Sequence, residues 1–244
     1  MKVLCVIPSR IGSTRLKGKP LLALGGKPMI QRVYENAALC KNIDRVIVAT
    51  DSDEIAKVVK SAGGEALMTD PALPTGSHRA AAVARNFPEM DIIINLQGDE
   101  PFVKPHMLTQ LIEPWLSGDS PEMTTLAAPL DRTREYQSPH AVKVITDLFG
   151  NALYFSRAPI PHFRKELQGV PVWHQIGLYA FRRDFLLLYN DLPATPLGEA
   201  EQLEQLRVLE HGYKIRVCLT DAKTLEINTP EEYAEACDRL QEFA

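Results

Sequence analysis

The stretch Ser9-Arg10-Ile11-Gly12-Ser13-Thr14-Arg15-Leu16-Lys17-Gly18-Lys19-Pro20 gathers Arg10, Arg15, Lys17 and Lys19 around two glycines and three hydroxyls. A bound triphosphate needs that equipment: backbone that approaches closely, N–H donors and several cations in a short span. The same cluster standing alone also fits a solvated basic turn. A second stretch, Asn95-Leu96-Gln97-Gly98-Asp99-Glu100-Pro101, places a carboxylate just after an apolar run and a glycine. A carboxylate there can hold Mg2+ against phosphate oxygens, or it can cap the following turn. Two such loops at one sheet edge favour a metal–nucleotide site. Neither GxxxxGK[ST] nor GxGxxG occurs, which removes P-loop ATPases and dinucleotide dehydrogenases as leading readings. No Ser/His/Asp triad or covalent nucleophile is evident either.

These loops must be carried by something. Lys2–Pro8 reads as a short buried strand, so the basic loop Ser9–Pro20 falls at a strand's carboxyl end, where open α/β sheets bind ligands. Pro28–Cys40 has apolar residues at helical spacing (Met29, Ile30, Val33, Ala37). Arg45–Thr50 is a second strand, followed by a helix capped by Ser52 or Asp53 and running to about Ala62, where Gly63-Gly64 stops it. Glu65–Met68 and Asp91–Leu96 read as strands, Pro105–Leu116 as a helix, and Thr124–Pro129 and Ala141–Thr146 as further strands. Such alternation implies parallel crossovers and a doubly wound, mostly parallel α/β sheet. Between about Gly150 and Arg182 the pattern changes: Asn151–Phe155 and Gln175–Phe181 read as strands around a Pro-rich loop. The expectation is a single domain over 1–244 with an inserted dimerisation and sugar-binding subdomain at about 150–182. Glu199–His211 reads as a helix, Lys214–Leu219 as a strand, and Thr229–Glu242 as a closing helix.

Composition narrows the partners. A formal charge of −4 over 244 residues argues against a general nucleic-acid binder, which carries a basic excess. The N-terminal apolar run ends in Pro-Ser-Arg, too early for a signal peptide or a membrane insertion. Cys5, Cys40, Cys218 and Cys237 are scattered without zinc spacing, and read as reduced residues of a cytoplasmic protein.

In order along the chain, IPSRIGSTRLKGKPL, GKPMIQRVYENA, VIVATD, TGSHR, NLQGDEP, HAVKVITD, ALYFSRAPIP, QIGLYAF, LEQLRVL and INTPEE closely resemble the CMP-Kdo synthetases, the 3-deoxy-manno-octulosonate cytidylyltransferases. The resemblance spans essentially the whole chain, and YFSRAPIP and LEQLR single out the Kdo-type branch. It implies a fold of the nucleotide-diphospho-sugar-transferase type and a homodimer. It implies transfer of CMP from CTP to the anomeric hydroxyl of an acidic sugar, a 3-deoxy-2-ulosonic acid such as Kdo, for lipopolysaccharide or capsule. By the same resemblance Pro8, Arg10, Ser13, Arg15, Lys19, Ser77, Arg79 and Gln97 contact the nucleotide, with Arg10, Arg15, Lys19 and Asp99 carrying catalysis. Arg157 takes the sugar-acid carboxylate, for which a planar guanidinium is apt, and Gln97, Gln175, Tyr179, Glu204 and Gln205 hold the sugar acid. Asp99 and Asn228 stand at the Mg2+ ligand positions. Taken singly, Tyr179 also fits a strand residue, Glu204 a helix-surface charge, and Arg157 a partner for an acidic neighbour.

Three positions depart from the family pattern. His78 stands where relatives carry an acid, Gln175 where they carry His, and Asn228 where they carry the second aspartate ligand. His174 cannot stand in for Gln175, because adjacent strand residues face opposite ways. Asn228 offers a carbonyl oxygen to Mg2+ but no negative charge. Two alternatives follow: a cytidylyltransferase for a different anionic acceptor, or a non-catalytic nucleotide-binding relative.

Overall fold

The computed structural model describes residues 1–12, 15–165, 170–222 and 224–243. In chain order the elements are β1 (Val3–Ser9), a 3-10 turn (Lys19–Leu21), β2 (Ala23–Leu24), β3 (Lys27–Pro28), α1 (Met29–Ala38), β4 (Arg45–Thr50), α2 (Asp53–Ser61) and β5 (Glu65–Met68). Then come α3 (Gly76–Ala84), β6 (Ile92–Asn95), α4 (Pro105–Leu116), β7 (Met123–Pro129), β8 (Lys143–Thr146), β9 (Ala152–Ser156) and β10 (Trp173–Arg182). The rest are α5 (Arg183–Tyr189), α6 (Pro196–Glu201), α7 (Leu206–Glu210), β11 (Ile215–Leu219), α8 (Pro230–Asp238) and α9 (Leu240–Phe243).

The class is mixed α/β with a mostly parallel central sheet. The chain divides into two compact units: Met1–Thr109 with Phe181–Asn190 and Lys223–Ala244, and Gln110–Ala180 with Asp191–Ala222.

In the first unit β6, β1, β4 and β5 lie side by side, all parallel, with Cys5 opposite Val46 on one side and Ile94 on the other. Every residue of β1 is buried, as expected for a central strand covered on both faces. Parallel strands put their carboxyl ends together, so the loops after Ser9, Thr50 and Asn95 share one edge. A smaller core of Leu24, Met29, Phe102, Ile227 and Ala236 packs nearby in the same unit, with Leu16 and Tyr233 against it. It fixes the segment before α8 by burying Ile227.

In the second unit β11 runs parallel to β7, and β8 and β9 form an antiparallel pair whose partner along β8 is the start of β10. The connection between β8 and β9 leaves Leu148 and Phe149 exposed.

Most anticipated elements are found within a residue or two of their expected limits. One is broken. In place of a helix over Glu199–His211 there are α6 and α7, because Gln202 adopts φ 53 and its N–H turns back to Gly198 O. A left-handed residue ends the α-helical ladder. The closing helix begins as expected at Thr229, in a capping box with Glu232, but ends its first segment at Asp238. Helices α3 and α5 were not anticipated: α3 is a run of small residues (GSHRAAAVA) with no amphipathic stripe, although Thr75 caps it.

Candidate active site

The anticipated residues gather into two clusters, one in each unit. The first lies at the carboxyl edge of β1 and β6. Gly98 is required there: a Cβ at this position would sit 2.9 Å from Pro8 O, so only glycine lets the Asp99 turn lie against the end of β1. Gly76, at the start of α3, is similarly close to the Gln97 amide and to Pro8, so Pro8, Gln97 and the α3 N-terminus form one corner. Asn95, wholly buried, holds that corner by donating to Ser77 Oγ at 3.2 Å and accepting from Gln97 Nε2 at 3.3 Å. His78 turns its ring back on the helix cap, with Nδ1 at 2.9 Å from Thr75 Oγ1.

The basic loop closes on this edge. Gly18 takes φ 64 and launches the 3-10 turn that carries Lys19. Lys19 Nζ donates to Asp99 Oδ2 at 2.7 Å and to Asn228 Oδ1 at 3.1 Å. Arg15, exposed, donates from Nη2 to the same Asn228 oxygen at 3.1 Å. Arg10 donates to Leu73 O. Arg79 is wholly buried, within 3.4 Å of Asp51 and bonded to Thr69 Oγ1. Burial lowers the affinity of that guanidinium for its proton, Asp51 opposes the shift, and Arg10 adds to it. Ser77 and Arg79 are thus both buried, the one beside Asn95 and the other beside Asp51 and Thr69. Ser13 lies outside the described residues.

Asp99 Oδ1 is buried and has no hydrogen-bond partner among the described residues, while Oδ2 faces Lys19. An orphaned carboxylate oxygen on a residue that also pairs with Lys19 fits a divalent cation. Around it, Glu100 is 3% exposed and accepts from Thr224 Oγ1 at 2.5 Å. Its carboxyl is pushed up to about 8, first by burial and then by Glu226 and Asp99. Among the described residues no three His, Cys, Asp or Glu side chains form a metal cage. A cation held by one or two carboxylates and by substrate phosphates, the usual habit of Mg2+, suits this donor set.

The second cluster is built on β9, β10 and the α6–α7 connection. Gln175 is buried and donates from Nε2 to Tyr179 OH at 3.2 Å and Thr125 Oγ1 at 3.2 Å. Its Oε1 accepts from Gln205 Nε2 at 3.0 Å. Gln175, Tyr179 and Gln205 therefore form one polar network. His174 points the other way, 3.4 Å from Glu135, as strand alternation requires. Arg157 is half-buried and donates from Nε to Glu201 O and from Nη1 to Pro139 O, both at 3.0 Å. Its Nη2 has no protein partner among the described residues. Glu204 lines a cavity of about 290 Å³ with Thr195, Gly198, Gln202 and Arg207, and no other anticipated sugar residue lines it.

Several supporting residues escaped the sequence. Asp51, just past β4, receives Ile11 N at 3.3 Å as well as Arg79; its place at a strand's carboxyl end was the available signal. Lys143, wholly buried, donates to Ser138 O, Ala141 O and Arg157 O at 2.7, 2.6 and 2.6 Å. Glu201 accepts from Ser156 Oγ at 2.6 Å and from Arg157 N at 2.9 Å.

Comparison with known proteins bears on what this arrangement does. A family model described as Cytidylyltransferase matches residues 4–215. The 3-deoxy-manno-octulosonate cytidylyltransferase of Acaryochloris marina is 53% identical over 237 residues, covering 97% of this chain and 96% of its own. The protein of the same name from Synechococcus elongatus is 45% identical over 236 residues, with 97% of each chain covered. A solved CMP:2-keto-3-deoxy-manno-octonic acid synthetase complexed with CTP superposes with a TM-score of 0.94 at 37% identity, covering 100% of both chains. A cytidylyltransferase from Leptospira borgpetersenii, at 18% identity and a TM-score of 0.66, shares the fold.

Proposed function

The chain belongs to the cytidylyltransferase family and is a nucleotidyltransferase, and from that premise we propose that it transfers CMP from CTP to the 3-deoxy-2-ulosonic acid Kdo, releasing pyrophosphate. The observation that carries this reading is the first cluster: Lys19 and Arg15 converge on Asp99 and Asn228 at the strand edge where open α/β sheets bind nucleotides. The relatives' names supply the acceptor.

In the reaction the anomeric oxygen of the sugar acid forms a bond to the α-phosphorus of CTP. The bond to the bridging oxygen breaks, pyrophosphate leaves with that electron pair, and the hydroxyl proton passes to solvent. Arg10, Arg15 and Lys19 bind the triphosphate and stabilise the charge that builds on it. Gln97 and Pro8 border the place for the nucleoside, and the hydroxyl of Ser13 belongs to the same loop. Mg2+, held by Asp99 and the amide of Asn228 or its surroundings, would neutralise phosphate charge when bound. Arg157 Nη2 is offered to the sugar-acid carboxylate, and Gln175, Tyr179, Glu204 and Gln205 to its hydroxyls. Alignment of two anions with no covalent intermediate accounts for the rate.

Purified protein supplied with CTP, Mg2+ and Kdo should release pyrophosphate, and should do so far more slowly with other anionic acceptors. Absence of release with every acid tried would sink the enzymatic reading. A cytoplasmic homodimer completes the proposal: Leu148, at 101% exposure, and Phe149 are apolar side chains on the β8–β9 connection, just before the segment expected to form the dimer. The cysteines are free, in keeping with a reducing compartment.

A further inference from the structure

The segment leading into α8 is docked on the Asp99 turn by its backbone. Ile227 is wholly buried and its N–H donates to Asp99 O at 3.1 Å. Three residues upstream, Thr224 is bonded to Glu100. Burial alternates around that anchor, with Glu226 exposed, Ile227 buried and Asn228 half-buried, so Glu226 and Asn228 flank the point of attachment to Asp99.

The Asn228 amide has its two ends assigned by what surrounds them. Its oxygen accepts from two cations, Lys19 Nζ and Arg15 Nη2, each at 3.1 Å. Its nitrogen donates to Glu226 Oε1 at 2.6 Å. A carboxylate at position 228 could not make that last bond: it has no proton to give, and two carboxylates at such a distance cannot both remain ionised. Glu226 beside a neutral donor and an aspartate at 228 are therefore alternatives, each bringing one negative charge. Glu226 as a residue is exposed, yet its carboxylate is held by the same amide whose oxygen shares the Lys19 ammonium with Asp99. Asp99 Oδ1 is buried and unpartnered among the described residues.

We propose that Glu226 supplies the second carboxylate of the divalent-cation site, and that Asn228 is the tether that holds it in place. This rests on the reading of Asp99 as a metal-binding residue in the preceding section. The site then keeps two carboxylates, with the second charge moved from position 228 to position 226, and the departure at 228 weakens nothing.

The inference is tested by binding of Mn2+ alone to the full chain, followed by electron paramagnetic resonance of the free aqua ion, which needs no turnover. Glu226→Gln and Asp99→Asn should each weaken Mn2+ by about tenfold or more, as expected for loss of a carboxylate ligand. Asn228→Asp alone should change it by less than about threefold, whereas adding Asn228→Asp to Glu226→Gln should restore binding to within about threefold of the parent, a coupling that only relocation of one charge produces. Circular dichroism spectra confirm the fold of each variant. Weakening by Asp99→Asn with none by Glu226→Gln overturns this inference and leaves the metal site standing. No effect from either, or no Mn2+ binding by the parent at millimolar concentration, overturns both.

Discussion

Lys143 is the residue whose removal tests most directly how Arg157 is held. Its ammonium is wholly buried and all three of its protons are spent, on Ser138 O, Ala141 O and Arg157 O at 2.7, 2.6 and 2.6 Å. Burial lowers its affinity for the third proton, with Glu201 opposing and Arg157 reinforcing the shift, so the charge persists because the carbonyls surround it. Lys143→Met keeps much of the side chain's length and removes every donor. Three hydrogen bonds to a charged group would come to roughly 5–9 kcal/mol if simply summed. The desolvation penalty of an ammonium, several kcal/mol, is recovered at the same time. Of the carbonyls left behind, only the bond to Ala141 O is fully buried, and the other two are part-buried, within reach of water. The net loss should thus be about 3 kcal/mol, near the lower end for breaking a buried ionic group. In urea that corresponds to a fall in midpoint of about 1 M, for a slope of about 3 kcal/mol/M. Kinetics should separate the roles. Because the tether ends on the Arg157 main chain, KM for the sugar acid should rise while KM for CTP stays within about twofold. A loss below about 1 kcal/mol would refute the energetic reasoning. Equal rises in both KM values would refute the positioning role.

Two further outcomes follow from the first cluster. Arg15→Ala removes an exposed cation from the basic loop and should raise KM for CTP by a charge-assisted contact's worth, roughly 1.5–3 kcal/mol, with the fold intact by circular dichroism; unchanged CTP kinetics would show that the loop does not cradle the triphosphate. Glu100, whose carboxyl is raised from 4.5 to about 8, keeps a proton in the folded chain that the unfolded chain releases, so its contribution is full below about pH 4.5 and is lost as pH rises to about 8. Glu100→Gln stays neutral and should flatten that decline, read as urea midpoints from about pH 5 to 9 in chelator; parallel profiles for parent and variant would contradict the assignment.

Much of the fold was legible because its strands are buried on both faces and its helices announce their ends. β1 and β6 are continuous buried runs rich in Val and Ile, α2 is capped by Ser52 and α8 by the Thr229–Glu232 box. What was not legible lies where local pattern and tertiary context disagree. Helix α3 carries buried residues all round, including Ser77 and Arg79, so no stripe marks it. Gln202 has helix-compatible chemistry, yet it is held in a left-handed conformation with its N–H returned to Gly198 O, and nothing in Glu199–His211 as a string signals that break.

The site divides along the same line. Residues proposed to face a ligand were picked out by their types: a loop dense in Arg and Lys, and an aspartate freed by a glycine. Strand alternation also separated Gln175, inside its polar network, from His174, which turns to Glu135. The residues that hold those groups are different in kind, because their chemistry is defined by a neighbour distant in sequence. Lys143 reads as a surface lysine in a short strand until the carbonyl of Arg157 is found 2.6 Å away. Asn228 read alone is an aspartate lost. Beside Glu226 it becomes the donor that a relocated carboxylate requires, and only the burial of Ile227 between them places the two residues at one anchor on Asp99. A substitution at a metal-ligand position therefore has to be judged with the charges that flank it, since a cation responds to the summed field of the groups around it and not to the identity of any one residue.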